Sequence, residues 1–259
     1  MIKFTVEEVI EAWKRRFDDD SDSKRSLLNE SHSLTSLLLK LLTEGYPVSA
    51  AQLAELSGLP LKQIEAAFNR FEIAGGEFDN NGNLVGAALT LNPTPYRFRV
   101  NGKQLFTWCS LDAIFLPGLL EQTAEVESIC PVTGEPITLT ITPNGIGEAS
   151  PEQTVLSVTV PGVSCATGES CLPNKTGPQS DACSQMHFFS SREAADVWLK
   201  DHPGVVVFSL DQAYRLAREN WIDRVRASEA PALTEDSIAS PMANKQEITD
   251  HQTATVCKR

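Results

Sequence analysis

The chain has 259 residues, enough for one large domain or two smaller ones with a real hydrophobic core. Hydrophobic residues make up 41% of it and charged residues 22%, the composition of an ordinary soluble protein. The formal net charge of −12 disfavours nucleic-acid binding, because it opposes the sequence-independent attraction to phosphate.

The N-terminal sequence and the cysteine content favour a cytoplasmic protein. Acidic residues interrupt the apolar positions of the first 25 residues, so no apolar run there has the length of a signal peptide. No segment approaches the roughly 18 apolar residues that a membrane span needs. In the cytoplasm the cysteines are expected to be reduced, which favours metal-binding or catalytic roles over disulfides. The six cysteines are Cys109, Cys130, Cys165, Cys171, Cys183 and Cys257.

The first 30 residues are predicted to be an N-terminal extension. Residues 4–17 have the pattern of a short amphipathic helix. The acidic run 18–24 is predicted to be a solvated linker, because clustered like charges repel one another and bury nothing.

Three helices are predicted between residues 31 and 76. A broad leucine face runs through residues 31–45 and stops at Gly45. The second helix is predicted between an N-cap at Ser49 and a stop at Gly58. The third helix, residues 60–76, has one apolar face. That face is formed by Leu61, Ile64, Ala67, Phe68 and Phe71.

A hairpin is predicted directly after these helices, because the turn sequence NNGN lies between two apolar-patterned runs. Three helices followed by a hairpin predict a winged helix-turn-helix-like domain over residues 31–95. That fold is often associated with DNA binding. Here the predicted recognition helix carries Glu65 and Glu72 as well as Lys62 and Arg70. Fold alone does not fix function, and DNA binding is not the favoured interpretation.

Residues 96–227 are predicted to form a second, α+β domain with a mostly antiparallel sheet. Its predicted elements are a hairpin turning at Asn101 and Gly102, strands at 136–143 and 154–161, a helix opened by a Ser190–Glu193 capping box, a buried strand from Val205, and a final helix from an Asp211 cap to about Arg226. Residues 228–259 have no periodicity and few large apolar residues, which predicts a disordered tail.

The stretch FTWCSLDAIFLP places a thiol and a carboxyl in apolar surroundings. In a helix, Cys109 and Asp112 would lie on one face within reach of each other. A carboxyl in such surroundings tends to hold its proton and can exchange it with a neighbouring thiol. The structural alternative is a buried cysteine beside an aspartate that caps a helix.

The other cysteines and the histidine of QMHFF give weaker signals. Cys165, Cys171 and Cys183 lack the paired spacing of a structural zinc site and belong to a loop rich in Gly, Pro and Ser. Cys183 differs from the other two because it ends that loop, immediately before an apolar run. A packing role is favoured for Cys130, and a core or strand position is favoured over metal ligation for His187.

These motifs together resemble organomercurial lyase, the alkylmercury-cleaving enzyme of bacterial mercury resistance. The resemblance runs from about residue 33 to about residue 220. It includes YPVSAAQLAELSGLP, the WCSLD element, TAEVESICPVTGEP and the CSQMHFF element, in this order. It implies a winged-helix-like domain followed by a catalytic α+β domain, in agreement with the pattern above.

The resemblance also implies a site. The family's catalytic groups carry over to Cys109 and Asp112 in WCSLD and to Cys183 in ACSQMHFF, and the same three residues are then expected to hold substrate or product mercury. Ser184 follows Cys183 where family members often have a second cysteine. The substrates implied are organomercurials. No resident cofactor, nucleic acid or membrane is expected, whereas free thiols are needed for release and a mercuric reductase is the expected acceptor of Hg(II).

Two alternatives remain open at the level of sequence. A winged-helix regulator could use the cysteines to sense a metal, and it would bind duplex DNA with a steep salt dependence. A thiol protein could bind mercury or zinc without catalysis, and Asp112 would then be dispensable.

Overall fold

The computed structural model describes residues 4–21, 32–163 and 182–228. Except for Ser228, which ends a helix, the predicted tail lies outside the described residues, and so do Cys257, Cys165 and Cys171. Among the helices that are described, none is long and apolar enough to cross a membrane.

Helix α1, Val6–Ser21, extends further than predicted. The acidic residues Asp18, Asp19 and Asp20 continue the helix, so the prediction of a linker beginning at residue 18 is wrong. Tertiary contacts anchor the body of α1: the Trp13 indole N–H donates to the Thr159 carbonyl at 3.1 Å. A helix anchored in this way can continue through residues whose own preference would be to stop it.

The three helices that follow are α2, His32–Leu42, α3, Ala50–Ser57, and α4, Leu61–Ala74. The predicted caps of α3 are confirmed: the Ser49 side chain accepts from the Gln52 N–H, and Gly58 adopts the left-handed conformation with φ of 69°. On α4, Ile64, Ala67 and Phe68 are buried. Leu61 is 44% exposed, so its predicted place on the buried face is wrong. It is the first residue of α4, and the buried face of the helix begins only at Ile64.

The large sheet has eight strands within the described residues, and all of its pairings are antiparallel. The predicted NNGN hairpin pairs β1, Glu77–Phe78, with β2, Leu84–Ala87. The other strands are β3, Leu89–Thr90, β4, Tyr96–Val100, β5, Lys103–Thr107, β6, Ala124–Ile129, β7, Pro136–Thr142, and β8, Gly145–Ser150. Their order is β1-β2-β3-β5-β4-β6-β7-β8. The sheet is thus continuous across residues 95 and 96, and the division into domains there stays a prediction.

A second sheet contains three strands, also antiparallel. Strand β9, Val155–Thr159, is central, between β10, Phe188–Phe189, and β11, Val205–Ser209. The fold is therefore α+β with a predominantly antiparallel arrangement, as predicted.

Helix α5, Ser110–Leu120, is buried along its whole length. Its Phe115 ring stacks on Trp221 with centroids 5.4 Å apart. Trp221 belongs to a π-helical segment, Arg218–Ile222, between α7, Leu210–Ala217, and α8, Asp223–Ser228. A helix that is apolar all round must be enclosed by other elements, which explains why α5 carries almost no polar side chains.

Two predicted helix caps are wrong by one or two residues. Helix α6, Arg192–Trp198, is capped by Ser191 instead of Ser190, and α7 is capped by Ser209 instead of Asp211. Ser190 is engaged elsewhere, since its hydroxyl lies 3.2 Å from that of Thr133. The helices themselves are where the sequence predicts them.

Candidate active site

The structure brings Cys109, Asp112 and Cys183 together. One ligand atom from each side chain lies within 4.8 Å of the other two. Among the described residues no other group of three or more His, Cys, Asp and Glu side chains is close enough to hold one metal ion. Cys109 and Asp112 are buried and Cys183 is half-buried, so the cluster reaches towards solvent only on the Cys183 side.

Cys109 lies between β5 and α5 and is itself the N-cap of the helix, in extended conformation. The Asp112 carboxylate accepts from the Cys109 backbone N–H at 3.0 Å, and the Asp112 N–H in turn points at the Cys109 sulfur. The sequence-based alternative with aspartate as the cap is therefore wrong, because Asp112 is the third residue of the helix. This reciprocal arrangement fixes both side chains at the positive end of a helix, whose N–H groups offset part of the cost of an anionic sulfur there.

Cys183 begins a short 3₁₀ helix, Cys183–Gln185, which is fastened to β9. The Ser157 hydroxyl donates to the Gln185 carbonyl at 2.7 Å and accepts from the His187 N–H at 2.9 Å. These bonds hold the C-terminal end of the turn against β9, and the turn in this position brings Cys183 beside the first turn of α5 although it is distant in sequence.

Tyr96, at the start of β4, is a residue of this region that the sequence did not reveal. Its hydroxyl donates to the Met186 carbonyl at 3.0 Å and lies 2.7 Å from His187 Nδ1. Burial is the main cause that raises the pKa of Tyr96 far above its ordinary value. The nearby Cys109, Cys183 and Asp112 raise this pKa further, so the hydroxyl keeps its proton. His187 thus has a hydrogen-bond partner in Tyr96 and lies half-buried immediately before β10, so the prediction of a core or strand position is met only approximately.

The protonation behaviour of the cluster follows from its burial. Burial raises the pKa of Asp112 to about 7, although hydrogen bonds from Cys109 oppose this. Burial, a hydrogen bond with Cys183 and the charge of Asp112 raise the pKa of the Cys109 thiol well above its usual range. The carboxyl is therefore half protonated near neutral pH, beside a thiol that does not ionise without a base to take its proton.

Glu77 connects the hairpin to the segment that carries Cys109. Its carboxylate accepts from the Trp108 indole N–H at 2.7 Å and from the Thr90 hydroxyl at 2.5 Å. Nothing in the local sequence around EFDNNGN indicates that role, because the partners come from β3 and from the residue after β5.

Cys130 has the packing position that the sequence favours, and it is 1% exposed. Burial tends to raise its pKa, but hydrogen bonds from the Thr133 side chain and from the backbone N–H groups of Ser190, Thr133 and Val132 outweigh it and bring the pKa to about 7. The thiol thus fixes the β6–β7 turn against Ser190, outside the cluster.

Comparison with known proteins gives a consistent result. A family model described as alkylmercury lyase matches residues 89–221. The chain is 35% identical over 181 residues to an alkylmercury lyase of Bacillus cereus, covering 70% of this chain and 77% of that protein. It is 34% identical over 187 residues to an alkylmercury lyase of Pseudomonas putida, covering 72% and 82%.

The fold is also similar to that of a solved structure. The crystal structure of the mercury-bound form of MerB2 superposes with a TM-score of 0.62 at 22% sequence identity, over 84% of this chain and 98% of that one. Identity at this level supports the α+β fold alone.

Proposed function

Because the chain belongs to the alkylmercury lyase family, and so cleaves the carbon–mercury bond of organomercurials in mercury detoxification, we propose that Cys109, Asp112 and Cys183 are the groups that perform the cleavage. The observation that carries this proposal is their convergence within 4.8 Å, with a carboxyl whose pKa of about 7 lets it both accept and release a proton. The family assignment favours an enzyme over a regulator or a passive metal binder.

Substrate binding begins with transfer of a thiol proton. Mercury is soft, so thiolate sulfur is its natural protein ligand, and a thiol must lose its proton to bind. Asp112 as carboxylate takes that proton from Cys109, whose pKa is otherwise too high for ionisation at neutral pH. The Cys109 thiolate then replaces the thiolate that the organomercury ion carried into the site. That departing thiolate takes the proton of Cys183 and leaves as a free thiol. The Cys183 thiolate binds mercury as the second sulfur.

Cleavage then needs a proton at carbon. Two sulfurs on mercury feed electron density to the metal and weaken its bond to carbon. The Asp112 carboxyl acts as the general acid: its proton goes to carbon, the carbon–mercury electron pair becomes the new carbon–hydrogen bond, and Asp112 returns to the carboxylate. Overall, two thiols and one organomercury thiolate give a hydrocarbon, one free thiol and Hg(II) held by Cys109 and Cys183.

The last step is the release of Hg(II) from the two cysteines. The Hg(II) bis-thiolate leaves by exchange with cellular thiols, and a mercuric reductase is the proposed acceptor. The reaction as written balances with protein thiols and one carboxyl, so no resident cofactor is proposed. The proposed location is the cytoplasm, where thiols are kept reduced.

Helices α2–α4 and the β1–β2 hairpin are proposed to form a winged helix-turn-helix-like unit with a supporting role. Leu37, Leu38 and Leu42 of α2 belong to the common hydrophobic core, and β3 pairs with β5 beside Cys109. Glu77 of the hairpin accepts the Trp108 indole N–H. These contacts support a unit that holds the catalytic segment in place, and no nucleic-acid partner is proposed.

The proposal is tested by incubating the protein with phenylmercury and excess thiol and measuring benzene. The wild-type chain should release benzene with turnover. The Cys109→Ala and Cys183→Ala variants, shown to be folded by circular dichroism, should not. Benzene release by either variant at more than about a tenth of the wild-type rate would place the chemistry elsewhere.

A further inference from the structure

A third sulfur atom, the thioether of Met186, lies against the thiol of Cys109, one of the two proposed mercury ligands. Met186 Sδ is 3.9 Å from Cys109 Sγ, and the side chain is 2% exposed. Methionine often fills irregular gaps in a core, so burial alone would mean packing. What distinguishes this methionine is its contact with a sulfur that is proposed to bind the substrate.

The backbone of Met186 is held by the same elements that hold the thiols. Its N–H donates to the Cys183 carbonyl at 3.2 Å. Its carbonyl accepts from the Ser110 N–H at 3.3 Å and from the Tyr96 hydroxyl at 3.0 Å. One bond therefore ties Met186 to the residue that carries the second thiol, and another ties it to the residue after Cys109. These bonds hold the Met186 backbone beside both proposed ligands, and the buried side chain places the thioether against Cys109 Sγ.

The backbone also connects Met186 to Cys183. The Met186 N–H to Cys183 carbonyl bond closes the 3₁₀ turn, and Met186 follows that turn in extended conformation. Its side chain leaves the turn towards Cys109, where the two sulfur atoms are in contact. An ion bound between the two cysteines would thus have the thioether on the side where Met186 meets Cys109.

The chemistry of a thioether suits such a position. It is soft and polarisable, so it matches mercury better than an oxygen or nitrogen ligand does. It is also neutral. A third thiolate beside Asp112 would add another buried negative charge, which is costly to desolvate, whereas a thioether adds electron density without charge and without a proton to remove.

We propose that Met186 is a third, neutral sulfur donor to mercury in this enzyme. The inference rests on the proposed roles of Cys109 and Cys183. The sulfur donates a lone pair and is neither oxidised nor protonated, so the balance of the cleavage is unchanged. A third donor weakens the carbon–mercury bond further and helps to hold Hg(II) until free thiols remove it.

The direct test uses selenium as a label. The full chain has three methionines, Met1, Met186 and Met242. Protein grown with selenomethionine and loaded with one equivalent of mercuric chloride should show mercury as a near neighbour of selenium by X-ray absorption at the selenium edge. Met186→Leu, grown with the same label, retains Met1 and Met242 and should lose that neighbour. Leucine is chosen because it preserves most of the volume of methionine.

A kinetic measurement accompanies the spectrum. Met186→Leu should still bind one Hg(II) per chain through its two cysteines, while kcat for phenylmercury should fall by about tenfold, a barrier change of about 1.4 kcal/mol. Unchanged kcat would show that the thioether gives no help to cleavage and would overturn that part of the proposal.

The spectroscopic outcomes separate this inference from the proposed function. If the labelled wild-type protein binds one Hg(II) but shows no mercury near selenium, or if the signal survives in Met186→Leu, the third-donor proposal is overturned and the two-cysteine site stands. If Hg(II) binding is equally strong in Cys109→Ala and Cys183→Ala, the site itself is wrong.

Discussion

Replacing Asp112 with asparagine should abolish turnover and yet stabilise the protein. Asparagine has nearly the same size, and its side-chain oxygen can still accept the Cys109 N–H, which the carboxylate accepts at 3.0 Å. It cannot accept a proton from a thiol or deliver one to carbon. Asp112→Asn should therefore bind an organomercurial through Cys109 and Cys183 without releasing hydrocarbon.

The stability change can be worked out from the pKa. The Asp112 pKa is about 7 in the folded protein, against 3.8 for an unperturbed carboxyl, with burial as the main cause. The folded state thus binds this proton more tightly than the unfolded chain does. The contribution of the Asp112 carboxyl to the free energy of unfolding is greatest below about pH 4 and is lost as the pH rises through about 7. At about 1.36 kcal/mol for each pKa unit, the ionised carboxyl costs the folded state about 4 kcal/mol at pH 8.

The assay is urea unfolding at pH 5 and at pH 8, for the wild type and for Asp112→Asn. The variant should be the more stable of the two, and the difference in unfolding free energy should grow by about 2–3 kcal/mol between the two pH values. Asp211→Asn is the matched control: it removes one acidic charge from an exposed position of α7 and should show no such growth. A pH-independent difference between wild type and Asp112→Asn, or hydrocarbon release by that variant at the wild-type rate, would refute this account of Asp112.

Cys109→Ala and Cys183→Ala should each lower kcat at least tenfold, because one sulfur cannot weaken the carbon–mercury bond enough; a smaller loss, below about 1.4 kcal/mol in barrier, would count against the assignment. The three cysteines outside the described residues should each be replaceable by alanine with kcat for phenylmercury largely intact, and a large loss at one of them would move the site. These are Cys165, Cys171 and Cys257. Gly118→Ala should destabilise the protein by about 1–3 kcal/mol in urea unfolding, because the added methyl group would overlap the Ile222 side chain, whose Cγ1 is 2.8 Å away. Adding Ile222→Val, which removes the atom nearest that methyl, should recover part of the loss; no recovery would show that another contact is responsible.

Features with a local cause could be predicted from the sequence. Helix α3 begins after Ser49 and ends before Gly58. The Ser49 hydroxyl satisfies a free backbone N–H and Gly58 tolerates positive φ, and both effects act within one helical turn. Asn101 and Gly102 both have positive φ, at 50° and 70°, which is what a two-residue hairpin requires. The pairing of Cys109 with Asp112 is local in the same sense, since Cys109 is the N-cap of α5 and Asp112 lies in its first turn.

Local signals were less reliable where several residues could serve the same purpose. Ser190 and Ser191 are chemically equivalent as caps: Ser191 caps α6, while the Ser190 hydroxyl lies 3.2 Å from that of Thr133 in the β6–β7 turn. Strand β8 has two glycines and little apolar character, and it exists because β7 offers it a partner. The sequence therefore did not predict it.

The surroundings of the site were decided by tertiary structure alone. WCSLD and CSQMHFF could be connected only through the resemblance to a family, because no local rule brings residue 183 next to residue 109. The contacts that fix their geometry come from other elements: Tyr96 from β4, Ser157 from β9 and Glu77 from β1. The same holds for the pKa of Asp112. Its sequence neighbours are apolar, but the shift to about 7 depends on complete enclosure of α5 by the two sheets and the C-terminal helices, which is a property of the packed core and not of the segment.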